Sequence, residues 1–129
     1  MLTSPYEKYR QSTVQTSTPG QLLLMLYDGA VRFTRLGIDA IGTQNIEKAN
    51  NNFGKAQTII TELSATLDPS YEVSERLSTL YEYMNHLLIE ANVKKQVAPA
   101  EEVIGYLTEL RDTWAQAMRT TGGLEVSHG

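Results

Sequence analysis

Four stretches of the chain repeat apolar residues every three or four positions, and helix-breaking residues separate the stretches. In an α-helix, which turns about 100° per residue, this spacing collects apolar side chains on one face. Four such helices joined by short connections bury these faces against one another. The pattern therefore predicts an all-α fold, an antiparallel (up-down-up-down) four-helix bundle, and no stretch alternates as a strand would.

The first predicted helix has the clearest start. Thr18 is a threonine N-cap, Pro19 occupies the first helical position, and Gln21 completes a capping box. The apolar pattern continues to about Ile41. Residues 42–45, Gly-Thr-Gln-Asn, predict the first loop.

The next two helices are bounded by an asparagine and a proline. Asn45 predicts the N-cap of a second helix at residues 46–67. This helix ends before Pro69, because proline disfavours the helical conformation in the residue that precedes it. A third helix is predicted at about residues 72–95, with two lysines in its last turn, where they suit the helix dipole.

The remaining segments complete the domain organisation. A fourth helix begins near Pro99 and is expected to end at the glycine pair of residues 122–123. Residues 18–121 therefore form one bundle domain. The polar residues 1–17 are expected to be a mobile N-terminal leader, and residues 122–129 a flexible tail.

Each predicted helix has one apolar face that would form the core. In chain order, these faces comprise Leu22, Leu26, Gly29, Phe33, Leu36 and Ala40, with Met25 beside them; Ile46, Ala49, Phe53, Ala56, Ile60, Leu63 and Leu67; Val73, Leu77, Leu80, Met84, Leu87 and Ala91; and Val103, Leu107, Leu110, Trp114 and Ala117. A single domain of 129 residues buries roughly two-thirds of the surface of its unfolded chain, which is enough for one core.

Several apolar residues fall outside these faces. They are Leu24, Tyr27, Val31 and Ile38 on the first helix, Ile59 on the second, and Tyr83, Ile89 and Val93 on the third. Isolated exposed apolar residues are ordinary, but a ridge on one helix and a pair on another predict grooves for a partner's amphipathic helix. The alternative is that neighbouring helices or the leader cover these residues.

Composition excludes several functional classes. A net charge of −4 and the absence of a basic cluster do not fit a nucleic-acid partner or an anionic membrane surface. The chain has no cysteine, so disulfides, thiolate metal sites and cysteine nucleophiles are excluded. No apolar run approaches the roughly 20 residues that span a bilayer, so we predict no membrane insertion. Residues 1–10 lack the apolar core of a signal peptide, so a cytoplasmic protein is predicted.

The sequence contains no catalytic or cofactor motif. The two histidines, His86 and His128, do not form the paired Glu-x-x-His pattern of a di-metal bundle site. No phosphate-binding loop and no nucleophile elbow is present. We therefore predict no catalytic residue, no metal site and no cofactor, in a protein that is not an enzyme.

Four blocks of the sequence match a family pattern. The most specific is Thr-Pro-Gly-Gln-Leu-Leu-Leu-Met-Leu-Tyr-Asp-Gly-Ala at residues 18–30, which resembles a Ser-Pro-x-x-Leu-x-x-Met-Leu-Tyr-Asp-Gly signature. The other blocks comprise Lys55, Ala56, Ile59, Ile60, Glu62 and Leu63; Leu80 to Met84 with Leu88, Ala91 and Asn92; and Glu102, Val103, Leu110, Arg111 and Trp114. Over roughly residues 5–118 the chain resembles the FliS family of flagellin-specific export chaperones.

This resemblance implies a bacterial cytosolic chaperone. Its partners would be the disordered C-terminal segment of flagellin, which family members wrap around themselves as helices, and a component of the flagellar type III export gate. The client-binding residues expected from helical periodicity, and not from the resemblance, are Leu24, Tyr27, Val31, Ile59, Leu63, Tyr83, Ile89 and Val93. The leader would act as a displaceable lid through Tyr6, Tyr9 and Val14.

Two alternatives remain open from the sequence. A histidine phosphotransfer domain is also a four-helix bundle and would use His86, although the helical neighbours Glu82 and Glu90 are acidic. A structural homodimer would bury the leftover apolar residues against a second copy of the chain. Separately, the chaperone itself could form a homodimer when no client is bound.

Overall fold

The computed structural model describes the backbone of residues 18–128 and the side chains of residues 18–120. These residues form four helices: α1 (Pro19–Gly42), α2 (Ile46–Ala65), α3 (Glu72–Lys94) and α4 (Val97–His128). No strand occurs between residues 18 and 128, so the predicted all-α fold is confirmed. The leader at residues 1–17 lies outside the described residues.

The helices form a closed ring of antiparallel neighbours. Each helix packs against the next one in the chain, and α4 returns to pack against α1. The amide of Asn85 on α3 donates to the hydroxyl of Thr61 on α2 at 3.2 Å, and Lys95 after α3 donates to Asn50 at 2.6 Å. Residue numbers therefore fall along α2 as they rise along α3. The predicted up-down-up-down bundle is confirmed.

The first two helices begin where their caps predict. The hydroxyl of Thr18 accepts from the backbone N–H of Gln21 at 3.1 Å, and the side chain of Gln21 accepts from the N–H of Thr18 at 3.0 Å. The side chain of Asn45 accepts from the N–H of Lys48 at 3.0 Å. These bonds satisfy backbone donors that have no partner within the helix.

The helix ends differ more from prediction. α2 ends at Ala65, and α3 ends at Lys94 because Lys95 has a left-handed backbone with φ of 52°. α4 continues to His128, so the predicted helix end at residues 122–123 is wrong. A glycine is only about 1 kcal/mol less favourable than alanine in a helix, and a glycine pair alone does not stop one. The flexibility predicted for residues 122–129 stays a prediction.

The core confirms most of the predicted apolar faces of α2, α3 and α4. Buried there as predicted are Ala49, Phe53, Ala56, Ile60, Leu63, Met84, Leu87, Ala91, Val103 and Leu107. Ile46 and Val73 are exposed instead, because each lies in the first turn of its helix, at an end of the bundle. Ala117 is also exposed. At this turn of α4 the side chain of Met118, and not that of Ala117, lies against Gly20 of α1.

The buried face of α1 is rotated from the predicted one. Leu26, Phe33 and Ala40 are buried as expected, but the other buried positions are Tyr27, Ala30, Thr34 and Gly37. A Cβ built on Gly37 would lie 2.6 Å from Cε1 of the Phe53 ring, so the absence of a side chain lets α2 approach closely. The predicted core residues Leu22, Met25, Gly29 and Leu36 are only half-buried.

Candidate functional site

The outer face of α3, formed by Tyr83, Ile89 and Val93, carries exposed apolar side chains. These residues are 45%, 47% and 77% exposed, and Ile89 and Val93 are one helical turn apart. Met84 and Ala91, on the opposite side of the helix, are fully buried. The surface position predicted for the three residues is therefore confirmed, while their role in binding a client stays a prediction.

A shared carboxylate fixes one edge of this face. The hydroxyls of Tyr83 on α3 and Tyr106 on α4 both donate to Oε2 of Glu102, at 3.1 and 2.6 Å. The two ring centroids are 6.3 Å apart. The hydrogen bond to Glu102 raises the pKa of Tyr106 to about 12 and also raises the pKa of Tyr83. Both rings are therefore neutral at physiological pH and lie across the junction of α3 and α4.

The apolar ridge predicted on α1 is divided between surface and core. Leu24, Val31 and Ile38 are half-buried, and Val31 and Ile38 pack against the core from its edge. Tyr27 is fully buried. The prediction that Tyr27 lies on the surface, where a client could contact it, is wrong.

Hydrogen bonds explain why Tyr27 can be buried. Its hydroxyl is bonded to the hydroxyl of Tyr81 on α3 and accepts from Nε1 of Trp114 on α4 at 3.1 Å. Burial raises the pKa of both Tyr27 and Tyr81 above the ordinary value. A tyrosine whose hydroxyl has partners packs like any large apolar side chain. These partners come from two other helices, which a helical wheel of α1 does not include.

The two client-binding residues predicted on α2 are also in the core. Ile59 and Leu63 are 1% and 0% exposed. Ile59 points at α1, where a Cβ built on Gly29 would be 3.2 Å from its Cδ1. The predicted exposure of Ile59 is wrong. Leu63 was predicted both as a core residue of α2 and as a client-binding residue, and the structure places it in the core. Neither residue offers a surface to a client.

An open apolar groove, the start groove, lies where α1 begins. It has a volume of about 390 Å³. Its lining residues are Pro19, Gly20, Leu22, Leu23, Leu26, Thr66, Trp114 and Met118. The chain enters α1 through Thr18, so the leader is attached at this groove. The predicted lid residues Tyr6, Tyr9 and Val14 lie outside the described residues.

A second groove, the α1–α4 groove, lies between the end of α1 and the beginning of α4. Its volume is about 510 Å³, and it is lined by Arg35, Ile38, Asp39, Glu101, Ile104 and Gly105. Farther along the same junction, Nε of Arg111 binds Oδ1 of Asp28 at 2.8 Å. Sequence analysis missed Ile104 and Gly105. A glycine at position 105, inside a helical pattern, was the one available sign of a site here. Only the structure shows that this glycine lines a groove together with residues of α1.

Metal-ligand clusters and the surroundings of His86 bear on two other functional classes. No three of the His, Cys, Asp or Glu residues described are placed to hold a metal ion. His86 is exposed on α3, with the acidic residues Glu82 and Glu90 one turn away on either side. Among the described helices, none has both the length and the apolar character needed to cross a membrane.

Comparison with known proteins decides the family. A family model described as flagellar protein FliS matches residues 2–121. The chain belongs to the FliS family. It is 44% identical over 117 residues to the flagellar secretion chaperone FliS of Bacillus subtilis, covering 91% of this chain and 88% of the relative.

Two further relatives are more distant. The flagellar secretion chaperone FliS of Salmonella typhimurium is 32% identical over 109 residues, with 82% and 81% of the two chains covered. That of Campylobacter jejuni is 32% identical over 113 residues, with 86% and 88% covered. The expected membership of the FliS family is confirmed, and with it the assignment to a family of flagellar export chaperones.

In this FliS-family chain, the Tyr-Asp-Gly part of the signature block holds the bundle together. Tyr27 is buried among three helices, and Gly29 faces Ile59 of α2. Asp28 pairs with Arg111 of α4 and raises the pKa of that guanidinium. The block therefore joins α1 to each of the other helices.

Proposed function

We propose that this FliS-family protein is a cytoplasmic export chaperone for flagellin. It binds the disordered C-terminal segment of flagellin, prevents premature polymerisation and delivers the subunit to the flagellar type III export gate. The protein acts by binding alone, without catalysis. Family membership supports the general role, and the exposed apolar outer face of α3 is the observation that supports binding of an amphipathic segment.

The energetics of ordering a client favour a distributed apolar surface. Each client residue that becomes helical loses about 1–2 kcal/mol of backbone entropy. Each large apolar side chain buried in the complex returns about 1.5–3 kcal/mol. Several anchors along the chaperone are therefore needed, and one deep pocket would not suffice.

The structure narrows the residues that can serve as anchors. Tyr83, Ile89 and Val93 are accessible as the protein stands. Leu24 and Val31 are half-buried at the edge of α1 and offer part of their surface. Our proposal for the client surface therefore keeps these five residues and omits the buried Tyr27, Ile59 and Leu63.

Charge placed on α3 tests this surface. The double substitution Ile89→Asp and Val93→Asp should weaken binding of a flagellin C-terminal peptide by at least about tenfold, because two apolar anchors are lost. Isothermal titration measures the affinity, and circular dichroism should show unchanged helix content. Val73→Asp is the matched control, since Val73 is an exposed valine on the same helix. Equal affinity for the double variant and the wild type would remove α3 from the client site.

The leader is proposed to cover the start groove until the client arrives. Tyr6, Tyr9 and Val14 are the apolar residues available for this, and the leader joins the bundle at the groove. Deletion of residues 1–16 should leave a folded bundle and accelerate or tighten binding of the flagellin peptide. Slower or weaker binding would show that the leader belongs to the binding site.

A homodimer in the absence of client is a further part of the proposal. Analytical ultracentrifugation with and without the flagellin peptide tests it together with the chaperone role. The chaperone should shift to a one-to-one complex when peptide is added. A dimer that persists at saturating peptide and binds none of it would favour a structural homodimer.

A further inference from the structure

Gly105 is a glycine that the fold itself does not require. It lies within α4, is exposed, and a Cβ built on it would have no atom within 4 Å. Its backbone φ is not positive, so an ordinary side chain fits there without strain. Glycine weakens the interior of a helix, and it is favoured where another molecule must approach the backbone closely. Gly37 differs, because Phe53 fills the space beside it.

The surroundings of Gly105 form an apolar floor. Ile38 on α1 and Ile104 on α4 are both half-buried and line the α1–α4 groove. Gly105 leaves open space beside Ile104 on the α4 side of this floor. The opening therefore accepts an aliphatic side chain from outside, in contact with two isoleucines and exposed backbone.

The rim of the groove is acidic overall. Asp39 and Glu101 contribute two negative charges, and Arg35 contributes one positive charge. The next pair along the junction, Asp28 and Arg111, is neutral as a unit. A ligand with a cationic side chain beside its apolar anchor therefore complements the groove, and one with an anionic side chain is repelled.

We propose that the α1–α4 groove binds a basic amphipathic helix of a protein partner. The helix places a leucine-sized side chain over Gly105 and sets lysine or arginine beside Asp39 and Glu101. The groove is lined by residues of α1 and α4, whereas the residues of the outer face lie on α3. Ile38 shares a face of α1 with Val31, so the groove adjoins the α1 edge of the proposed client surface. The experiments below use designed peptides and no flagellin, so their outcome is distinguishable from that of the flagellin tests.

Binding of two designed peptides tests the charge requirement. Each is about 15 residues long, since shorter helices are marginal in water, and carries a leucine stripe flanked by lysines in one and glutamates in the other. Amide resonances of the isotope-labelled full chain report the contact. The lysine peptide should shift the signals of Gly105, Ile38 and Ile104, and the glutamate peptide should not.

A pair of glycine variants separates binding from stability. Gly105→Gln should lower the affinity for the lysine peptide by at least about tenfold, because the new side chain fills the groove. Gly54→Gln is the matched control, since Gly54 is also exposed within a helix and has open space beside it. Both variants should melt at or above the wild-type temperature. The double variant Asp39→Lys and Glu101→Lys should bind the glutamate peptide instead.

Four results would overturn the proposal. Two concern the peptides themselves, namely no binding of the lysine peptide or equal binding of both peptides. Another is an affinity that Gly105→Gln leaves unchanged. The fourth is an equal loss of affinity in the Gly54 and Gly105 variants, which would place the peptide elsewhere.

Discussion

Tyr27 shows how strongly one hydroxyl group determines the position of a residue. Its ring lies in the core, and its hydroxyl has partners on α3 and α4. Without those partners, a buried hydroxyl would destabilise the fold by about 1–3 kcal/mol. The residue therefore links three helices, and its neighbour Leu26 supplies only apolar contact.

A double-mutant cycle tests this link. Tyr27→Phe should lower the free energy of unfolding by about 1–3 kcal/mol, because it leaves Tyr81 and Trp114 without their shared partner. Tyr81→Phe should lower it by about 1 kcal/mol, because Tyr27 keeps the bond from Trp114. The double variant should lose less than the sum. Urea unfolding provides the values, and strictly additive losses would contradict a coupled network.

Glu102 controls the ionisation of the exposed Tyr83 and the half-buried Tyr106. A hydrogen bond to this carboxylate raises the pKa of Tyr106 to about 12. The Tyr106 hydroxyl therefore binds its proton more tightly in the folded protein than in the unfolded chain. The resulting stabilisation is present below pH 10, the ordinary tyrosine value, and is lost as the pH rises towards 12. Glu102→Gln should therefore lower the pKa of both Tyr83 and Tyr106. Tyrosinate absorbance across this range measures the shift, and Glu109→Gln should leave it unchanged.

At the scale of the helices, glycine has two different roles. In α1, Gly37 allows contact with α2, since Phe53 occupies the space where a Cβ would stand. In α2 and α4, Gly54 and Gly105 have open space and face solvent. The same residue type is therefore required by packing at one position and not at the other two.

Alanine substitutions should separate these roles. Gly37→Ala should destabilise the protein by about 1–3 kcal/mol, because the new methyl group meets a buried ring. Gly54→Ala should stabilise it by about 0.5–1 kcal/mol through higher helix propensity. Chemical denaturation of the two variants beside the wild type gives the comparison. A stabilising Gly37→Ala would mean that α2 moves away at little cost.

At the scale of the whole molecule, the helices form one closed ring of contacts. α1 packs against both α2 and α4, and α3 packs against the same two helices. The hydrogen bonds among Tyr27, Tyr81 and Trp114 join helices that are not all neighbours in the chain. Each helix therefore buries side chains against two neighbouring helices.

The bundle should consequently unfold as one unit. Trp114 is the only tryptophan in the sequence, so its fluorescence reports the junction of α1, α3 and α4. Urea transitions followed by this fluorescence and by far-ultraviolet circular dichroism should coincide. Loss of the fluorescence signal at lower urea than the loss of helix would show that α4 detaches first.

Local signals in the sequence were enough to locate the four helices and the first residues of two of them, but not every helix end. Capping bonds at Thr18 and Asn45 involve residues three apart, so they can be predicted without knowing the fold. The outer face of α3 was also predictable, because Ile89 and Val93 lie opposite a well-defined apolar face. Both results depend only on the geometry of a single helix.

Tertiary structure alone decided which flank of α1 is buried and where the grooves lie. Tyr27 lies off the predicted core face and Thr34 is polar, yet both are buried because Tyr81, Trp114 and the carbonyl of Ala30 satisfy their hydroxyls. The α1–α4 groove combines residues from opposite ends of the domain sequence. Periodicity determines the faces of one helix, whereas burial depends on which partner meets each face, and that is set by the packing of all four helices.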